Sequence, residues 1–95
     1  MEAFPSAPDD EDASRIRDEA RHMLVRAAER AASLAADEEA QHAYERAIEL
    51  SEDPAVKADL HEHAGLMAWI GARQDEADAH FEQSIALFDS AGETH

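Results

Sequence analysis

The sequence predicts an all-α domain made of two antiparallel helical hairpins that stack on each other. Three observations lead to this prediction. Apolar residues recur at steps of three and four in four segments, a spacing typical of helices. The pair Asp53-Pro54 marks a helix start midway along the chain. No segment shows the sustained alternation of polar and apolar residues that is typical of a half-buried strand.

The first half of the chain contains an acidic opening segment and two predicted helices. Residues 1–12 hold five acids, two prolines and no basic residue, which predicts a disordered tail. The first helix is expected over residues 13–35, with Asp12 or Ser14 as its N-cap. The second is expected over residues 37–51, and its apolar face consists of Ala40, Tyr44, Ala47 and Ile48.

The second half contains the clearest helix boundary. Asp53 is suited to accept backbone N–H groups, and Pro54 fits the first helical position, where its missing N–H is not needed. The third helix extends to about residue 71, and a turn over 71–74 leads to a fourth helix over 75–91. The third helix carries two apolar stripes, Val56, Leu60, Ala64 and Met67 beside Leu66, Trp69 and Ile70. The fourth carries one, made of Ala77, Phe81, Ile85 and Phe88.

The predicted domain therefore spans residues 13–92. It divides into units over about 13–51 and 54–92, and residues 93–95 form a terminal stub after Gly92, which suits a helix C-terminus.

Length and composition narrow the classes of function. With 95 residues the chain allows one domain, and 22 alanines leave few large apolar side chains for a core. A net charge of −15 makes nucleic acid and anionic lipid poor partners. The absence of cysteine, of a signal peptide and of a membrane-length apolar run fits a cytoplasmic protein. Abundant alanine and arginine suggest GC-rich coding of bacterial type.

The second and fourth helices share a pattern at an offset of 37 residues. The segment DEEAQHAYERAIEL aligns with QDEADAHFEQSIAL, so that Ala40, Tyr44, Ala47 and Leu50 correspond to Ala77, Phe81, Ser84 and Leu87. Self-similarity at a period of 20–50 residues is typical of stacked helical units.

On these residues the chain resembles the tetratricopeptide repeat family, over roughly residues 15–91. Ala28 and Gly65, twelve residues before Ala40 and Ala77, occupy the places where the family has a small residue at the helix crossing. The chain departs from the family pattern at several positions. Leu24 and His61 stand at its tryptophan position, and Ala31 and Ala68 stand at its tyrosine position. Pro54 comes two residues later than the family's proline, and the period is 37 residues instead of 34. The resemblance implies two units in a right-handed stack; a plain four-helix bundle is the alternative.

The resemblance also implies a groove lined by the first helix of each unit. It would present His22, Val25, Arg26 and Glu29 from the first helix, and Asp59, Glu62, His63, Leu66, Trp69 and Ile70 from the third. Leu66, Trp69 and Ile70 would be apolar anchors, and Arg26, Glu29, Asp59, Glu62 and His63 would be polar contacts. Family members that grip a peptide carboxylate use lysine and asparagine there, so acidic residues make that ligand improbable. Trp69 either anchors a partner or packs in the chain's own core.

Candidate catalytic and metal-binding patterns are weak. His61 and His63 are two residues apart and diverge by about 160° on a helix. The serines lie in no nucleophile-elbow context, and there is no glycine-rich phosphate loop. The sequence therefore predicts no enzyme, no metal site and no cofactor.

The predicted function is a non-catalytic protein–protein interaction module that binds a peptide or a partner helix in this groove. The alternative is a structural role, either self-association or a regulatory segment of a larger signalling or ATP-using protein. Residues 15–34 carry a net charge of +2, and residues 35–95 carry −12. This charge asymmetry has two interpretations. It favours contact between copies, or the opposite charges compensate each other within one chain. Two units without a capping helix leave apolar surface exposed, which predicts a homodimer through the fourth helix or the groove beside Trp69.

Overall fold

The computed structural model describes residues 6–92 and contains four helices and no strand over that range. The helices are α1 (Ser6–Ser33), α2 (Asp37–Glu49), α3 (Pro54–Ile70) and α4 (Gln74–Gly92). The contacts of α1 with α2, of α2 with α3, and of α3 with α4 form two antiparallel hairpins stacked through α2 and α3. The predicted all-α hairpin stack is confirmed. No described helix is long and apolar enough to cross a membrane.

The acidic opening segment is the main departure from the sequence prediction. Residues 6–12 belong to α1, so the expected tail over 1–12 is wrong for these residues, and 1–5 lie outside the described range. Neither Asp12 nor Ser14 is an N-cap, because both lie inside the helix. Carboxylates near a helix N-terminus are stabilised by the positive end of the macrodipole. Arg15 also pairs with Asp12 one turn earlier, with 3.0 Å between Nη2 and Oδ1.

Both hairpins turn in the same way. After α1, the N–H of Ala36 donates to the carbonyl of Ala31 over 2.8 Å. After α3, the N–H of Arg73 donates to the carbonyl of Ala68 over the same distance. This six-residue closure is the Schellman motif, whose penultimate residue adopts the left-handed conformation. The two turns lie 37 residues apart, so the repeat read from α2 and α4 is also a repeat of backbone structure.

The boundary between the hairpins forms as predicted. The N–H of Ala55 donates to Asp53 Oδ1 over 3.0 Å, and Pro54 is the first residue of α3. The preceding connection is fixed by Ser51, a buried residue whose hydroxyl donates to the carbonyl of Ala47 over 2.8 Å. Side-chain caps thus end α2 and begin α3 within a few residues.

The core lies among α1, α2 and α3 and consists mostly of small side chains. It contains Ala28, Ala40, Tyr44, Ala47, Leu60, Ala64 and Met67. Gly65 lets α4 approach α3, because a Cβ there would lie 2.8 Å from Phe81 Cε1. Ala28 and Gly65, both expected at helix crossings, are buried.

The predicted apolar stripe of α4 is only partly buried. Ala77 and Ser84 are buried, whereas Ile85 is 62% exposed and Phe88 46% exposed. Ile85 follows Ser84 by one residue, a rotation of about 100°, so it turns away when Ser84 faces α3. The stripe of Ala77, Phe81, Ile85 and Phe88 is therefore not one continuous buried face. The expectation that this two-unit chain leaves apolar surface exposed is confirmed.

Candidate functional site

A groove runs between α1 and the first half of α3. A cavity of about 380 Å³ lies there and is lined by Arg21, His22, Val25, Ala55, Val56, Asp59 and Leu60. Of the eight residues predicted to bind a partner, Asp59 lines this cavity. The other seven are exposed nearby or farther along α3, namely Arg26, Glu29, Glu62, His63, Leu66, Trp69 and Ile70.

Tyr44 of α2 lies between the two walls of the groove. Its side chain is buried, and its ring centroid lies 5.2 Å from that of His63 on α3. Burial raises the pKa of the Tyr44 hydroxyl, and the negative charges of Glu29 on α1 and Asp59 on α3 raise it further. Glu29, Asp59 and His63 therefore lie around one buried phenol, although Glu29 belongs to α1 and the other two to α3.

His63 is held in one orientation on the groove wall. Its Nδ1 lies 2.8 Å from the carbonyl oxygen of Asp59, one turn earlier on α3. A carbonyl oxygen only accepts, so Nδ1 carries the hydrogen and Nε2 is left as an acceptor in the neutral ring. The Asp59 carboxylate lies 3.6 Å from the same nitrogen. The groove wall thus presents an acceptor nitrogen and a carboxylate side by side.

Three large apolar side chains continue the groove wall toward the end of α3. Leu66 is 43% exposed, Trp69 is 57% exposed and Ile70 is 56% exposed. We call this set the α3 ridge. The spacings of three and four residues put the three side chains together on the helix surface. The alternative that Trp69 packs in the chain's own core is therefore wrong, because its side chain is mostly exposed.

The groove also extends toward the start of α1, which the sequence analysis missed. A second cavity of about 300 Å³ shares Arg21 and Val56 with the first and reaches the connection between α2 and α3. Arg17 crosses this opening and pairs with Glu52, with 2.8 Å between Nη1 and Oε2. The signal in the sequence was the spacing of Arg17 and Arg21, which share one helix face.

A polar network joins the two hairpins on the side of α2 that faces α4. Gln41 is 1% exposed and donates to both Glu45 and Glu76. Arg73 donates from Nε to Gln41 Oε1 over 2.8 Å and from Nη2 to Asp37 Oδ2 over 3.0 Å. Each hydrogen bond of Gln41 thus ends on a charged group, which is the stronger kind of protein hydrogen bond.

The network ends in a pair of histidines that belong to different helices. His80 Nε2 lies 2.8 Å from Glu45 Oε2, and His80 Nδ1 lies 2.9 Å from His61 Nδ1. The carboxylate accepts from His80 Nε2, so in the neutral pair His61 donates from Nδ1 to His80. The histidine that meets His61 is therefore His80 and not the neighbouring His63. Only the crossing of α3 and α4 brings these two rings together, and no sequence spacing indicates it.

The electrostatics of the network follow from this geometry. Burial lowers the pKa of His61, and the nearby positive charges of His80 and Lys57 lower it further, against the opposing effect of Glu45. Burial acts to raise the pKa of Glu45, but hydrogen bonds from His80 and Gln41 outweigh it, so the pKa is lowered. At neutral pH the arrangement therefore favours an ionised Glu45 beside a neutral His61.

Histidine and carboxylate side chains are possible ligands of an ion site. Among the side chains that the structure describes, no group of three or more such residues is arranged to hold a metal ion. The pair of His61 and His80 is accounted for by its hydrogen bond to Glu45 through His80.

No protein-family model matches the chain, and no curated protein or solved structure matches it either. Membership of the tetratricopeptide repeat family therefore stays a prediction. It is based on the matched sequence pattern of α2 and α4.

Proposed function

We propose that the chain is a two-unit tetratricopeptide-type module that binds a peptide or a partner helix and performs no catalysis. The observation that carries the proposal is the α3 ridge. Three large apolar side chains, one of them a tryptophan, are exposed together at the end of a groove. Tryptophan is enriched among the residues that dominate binding energy at interfaces.

The charges beside the ridge indicate the chemistry of the ligand. Glu62 lies one helical turn before Leu66, and Asp59 and Glu29 lie farther along the same groove. Arg26 is the basic member of the predicted set. A ligand with an apolar face flanked by lysine or arginine complements this surface, and an amphipathic helix has that arrangement. We therefore propose a basic amphipathic peptide or helix as the partner class.

Self-association or a regulatory role within a larger protein is the second candidate. It is favoured by the exposure of Ile85 and Phe88 on α4, away from the groove. An interface there would give a homodimer of the isolated chain. The first candidate predicts binding through α3, and the second predicts contact through α4, so variants of the two faces separate them.

Binding can be followed through Trp69, which is the only tryptophan of the chain. The probe is a synthetic leucine–lysine amphipathic helical peptide, titrated while Trp69 fluorescence is recorded. We expect a saturable spectral change that is lost in the Leu66→Glu variant, because a carboxylate then stands in the centre of the ridge. Ile85→Glu is the matched control, since it places the same charge at an exposed apolar position on α4.

An absence of saturation would contradict the proposal. An equal loss of binding in both variants would also contradict it, because such a result indicates charge attraction without use of the groove. An acidic peptide of the same length tests whether the sign of the ligand charge matters, and we expect it not to bind.

A further inference from the structure

We infer that copies of this chain stack head to tail, with the outer surface of α1 of one copy covering the outer surface of α4 of the next. We define the head face by Met23, Ala27 and Arg30 on α1, and the tail face by Trp69 on α3 with Asp78, Glu82 and Ile85 on α4. Trp69 belongs to both the α3 ridge and the tail face, whereas Leu66 and Ile70 belong to the ridge alone. The inference concerns the two ends of the stack and does not require a ligand in the groove.

The first argument is the internal repeat of 37 residues. At that offset Ile48 corresponds to Ile85, and Met23 corresponds to Leu60. Inside the chain, Ile48 packs against the core cluster that contains Leu60, which is 4% exposed. Their counterparts are both open, with Ile85 62% exposed and Met23 66% exposed. The two surfaces that join the hairpins are thus present a second time on the outer ends.

The second argument is the charge of the two ends. Asp78, Glu82 and Asp89 are exposed around Ile85, and residues 74–92 contain no lysine or arginine. Residues 15–34, the part of the chain that contains the head face, carry five arginines against three acids, a net charge of +2. The acids at positions 9–12 also belong to α1 and make the net charge of the whole helix, Ser6–Ser33, −2. Pairing α4 with α4 would bring carboxylates together, and pairing α1 with α1 would bring arginines together. Opposite charges around Met23 and around Ile85 therefore favour this part of α1 against α4, which is a head-to-tail contact.

The third argument concerns Trp69 and Arg30, whose counterparts at the inner surface are different residues. At the 37-residue offset Trp69 corresponds to Ala32, and Arg30 corresponds to Met67. Met67 belongs to the core cluster, and Ala32 packs against that cluster. In a stacked pair of copies, Arg30 of the second copy reaches the region of Trp69. A guanidinium over an indole ring is a favourable cation–π arrangement.

The polar network is not repeated between copies, and this limits the strength of the contact. Gln41 and Glu76, which are hydrogen-bonded inside the chain, correspond to Asp78 and Glu39. Two carboxylates would face each other where an amide meets a carboxylate within the chain. We therefore expect a weak, reversible contact. Because the two faces differ, association continues into short open chains and does not stop at a dimer.

Two single variants and their mixture test the inference. Met23→Glu blocks the head face, and Ile85→Glu blocks the tail face. Sedimentation equilibrium of the full chain over a wide concentration range should show association for the wild type, and a loss of at least tenfold in association constant for each variant. Both positions are exposed, so the fold should survive, and circular dichroism checks that it does. An equimolar mixture of the variants should form dimers, because one copy keeps its tail face and the other its head face.

Four results would overturn the inference: a wild type that stays monomeric, a variant without effect, a mixture that stays monomeric, or oligomers of the wild type that close at a dimer. A symmetric contact through α1 or through α4 would be sensitive to only one of the variants. Leu66→Glu separates this inference from the proposed groove function. It should abolish peptide binding and leave sedimentation unchanged, whereas Ile85→Glu should do the reverse.

Discussion

Ala35 and Ala72 adopt the same left-handed backbone conformation, each with φ of 63°, at equivalent positions of the two hairpin turns. Glycine is the usual residue at this position of a Schellman motif because it has no Cβ. The chain does have a glycine in the second turn, but Gly71 precedes Ala72 and has φ of −85°. A Cβ on Gly71 would overlap Asp37 Oδ2 and lie 2.5 Å from Arg73 Nη1. Gly71 thus makes room for the ion pair of Arg73 with Asp37.

Ala72→Gly should raise the free energy of unfolding by about 0.5–1 kcal/mol. The left-handed conformation costs a residue with a Cβ about 1–2 kcal/mol, and glycine avoids this cost. Glycine also makes the unfolded chain more flexible, which offsets about half of the gain in stability. Urea denaturation followed by circular dichroism measures the change. The matched control is Ala79→Gly on the exposed side of α4. It should lower the free energy of unfolding by about 1 kcal/mol. A similar loss for Ala72→Gly would contradict the prediction.

Gly65→Ala should destabilise the chain by about 1–2 kcal/mol. Alanine gains about 1 kcal/mol of helix propensity, but overpacking costs up to about 3 kcal/mol, and the new Cβ would press on the Phe81 ring. A double-mutant cycle with Phe81→Leu isolates the contact. Phe81→Leu should be less damaging in the Gly65→Ala background than in the wild type. Strict additivity of the two changes would show that the helices do not meet at this point.

Gln41→Leu should lower the free energy of unfolding by about 1–3 kcal/mol. Leucine has nearly the volume of glutamine, but it can neither accept from Arg73 nor donate to Glu45 and Glu76. These three charged groups would then have fewer hydrogen-bond partners. Chemical denaturation at neutral pH gives the value. Gln83→Leu, at an exposed position of α4, is the control and should change stability by less than about 0.5 kcal/mol.

Stability should fall as the pH is lowered from 7 toward 4. The pKa of His61 is depressed below its ordinary value of 6.5, so the unfolded chain takes up a proton more readily than the folded chain as the pH falls through 6.5. The pKa of Glu45 is lowered from 4.5, so its stabilising contribution is present above pH 4.5 and declines at still lower pH. Unfolding midpoints in urea across this pH range measure the slope. In His61→Gln the part of the slope just below pH 6.5 should shrink, and an unchanged slope would remove His61 as its cause.

Trp69→Ala should change the free energy of unfolding by less than about 1 kcal/mol. Truncation of a buried tryptophan lowers the free energy of unfolding by about 3–5 kcal/mol, but the Trp69 side chain is 57% exposed. Thermal or urea denaturation followed by far-ultraviolet circular dichroism is suitable, because the variant has no tryptophan signal. A loss of several kcal/mol would indicate that Trp69 is covered in the monomer in solution.

Local sequence patterns predicted most of the fold. Asp53-Pro54 set the start of α3, since a cap and a preset φ act within one turn. The offset of 37 residues between α2 and α4 predicted two similar hairpins, and the matching turns agree with it. The eight candidate partner-binding residues are all exposed, because a helical period separates outer from inner faces even when the partner helix is unknown.

Contacts between helices were decided by the tertiary structure. The meeting of His61 with His80, the convergence of Glu29 and Asp59 on Tyr44, and the burial of Gln41 depend on how the helices cross and on their relative register. The same applies to α4, where register buries Ser84 and leaves Ile85 exposed. A helical period specifies which residues share a face. It does not specify what that face meets, because packing depends on the shape of side chains from a distant part of the chain.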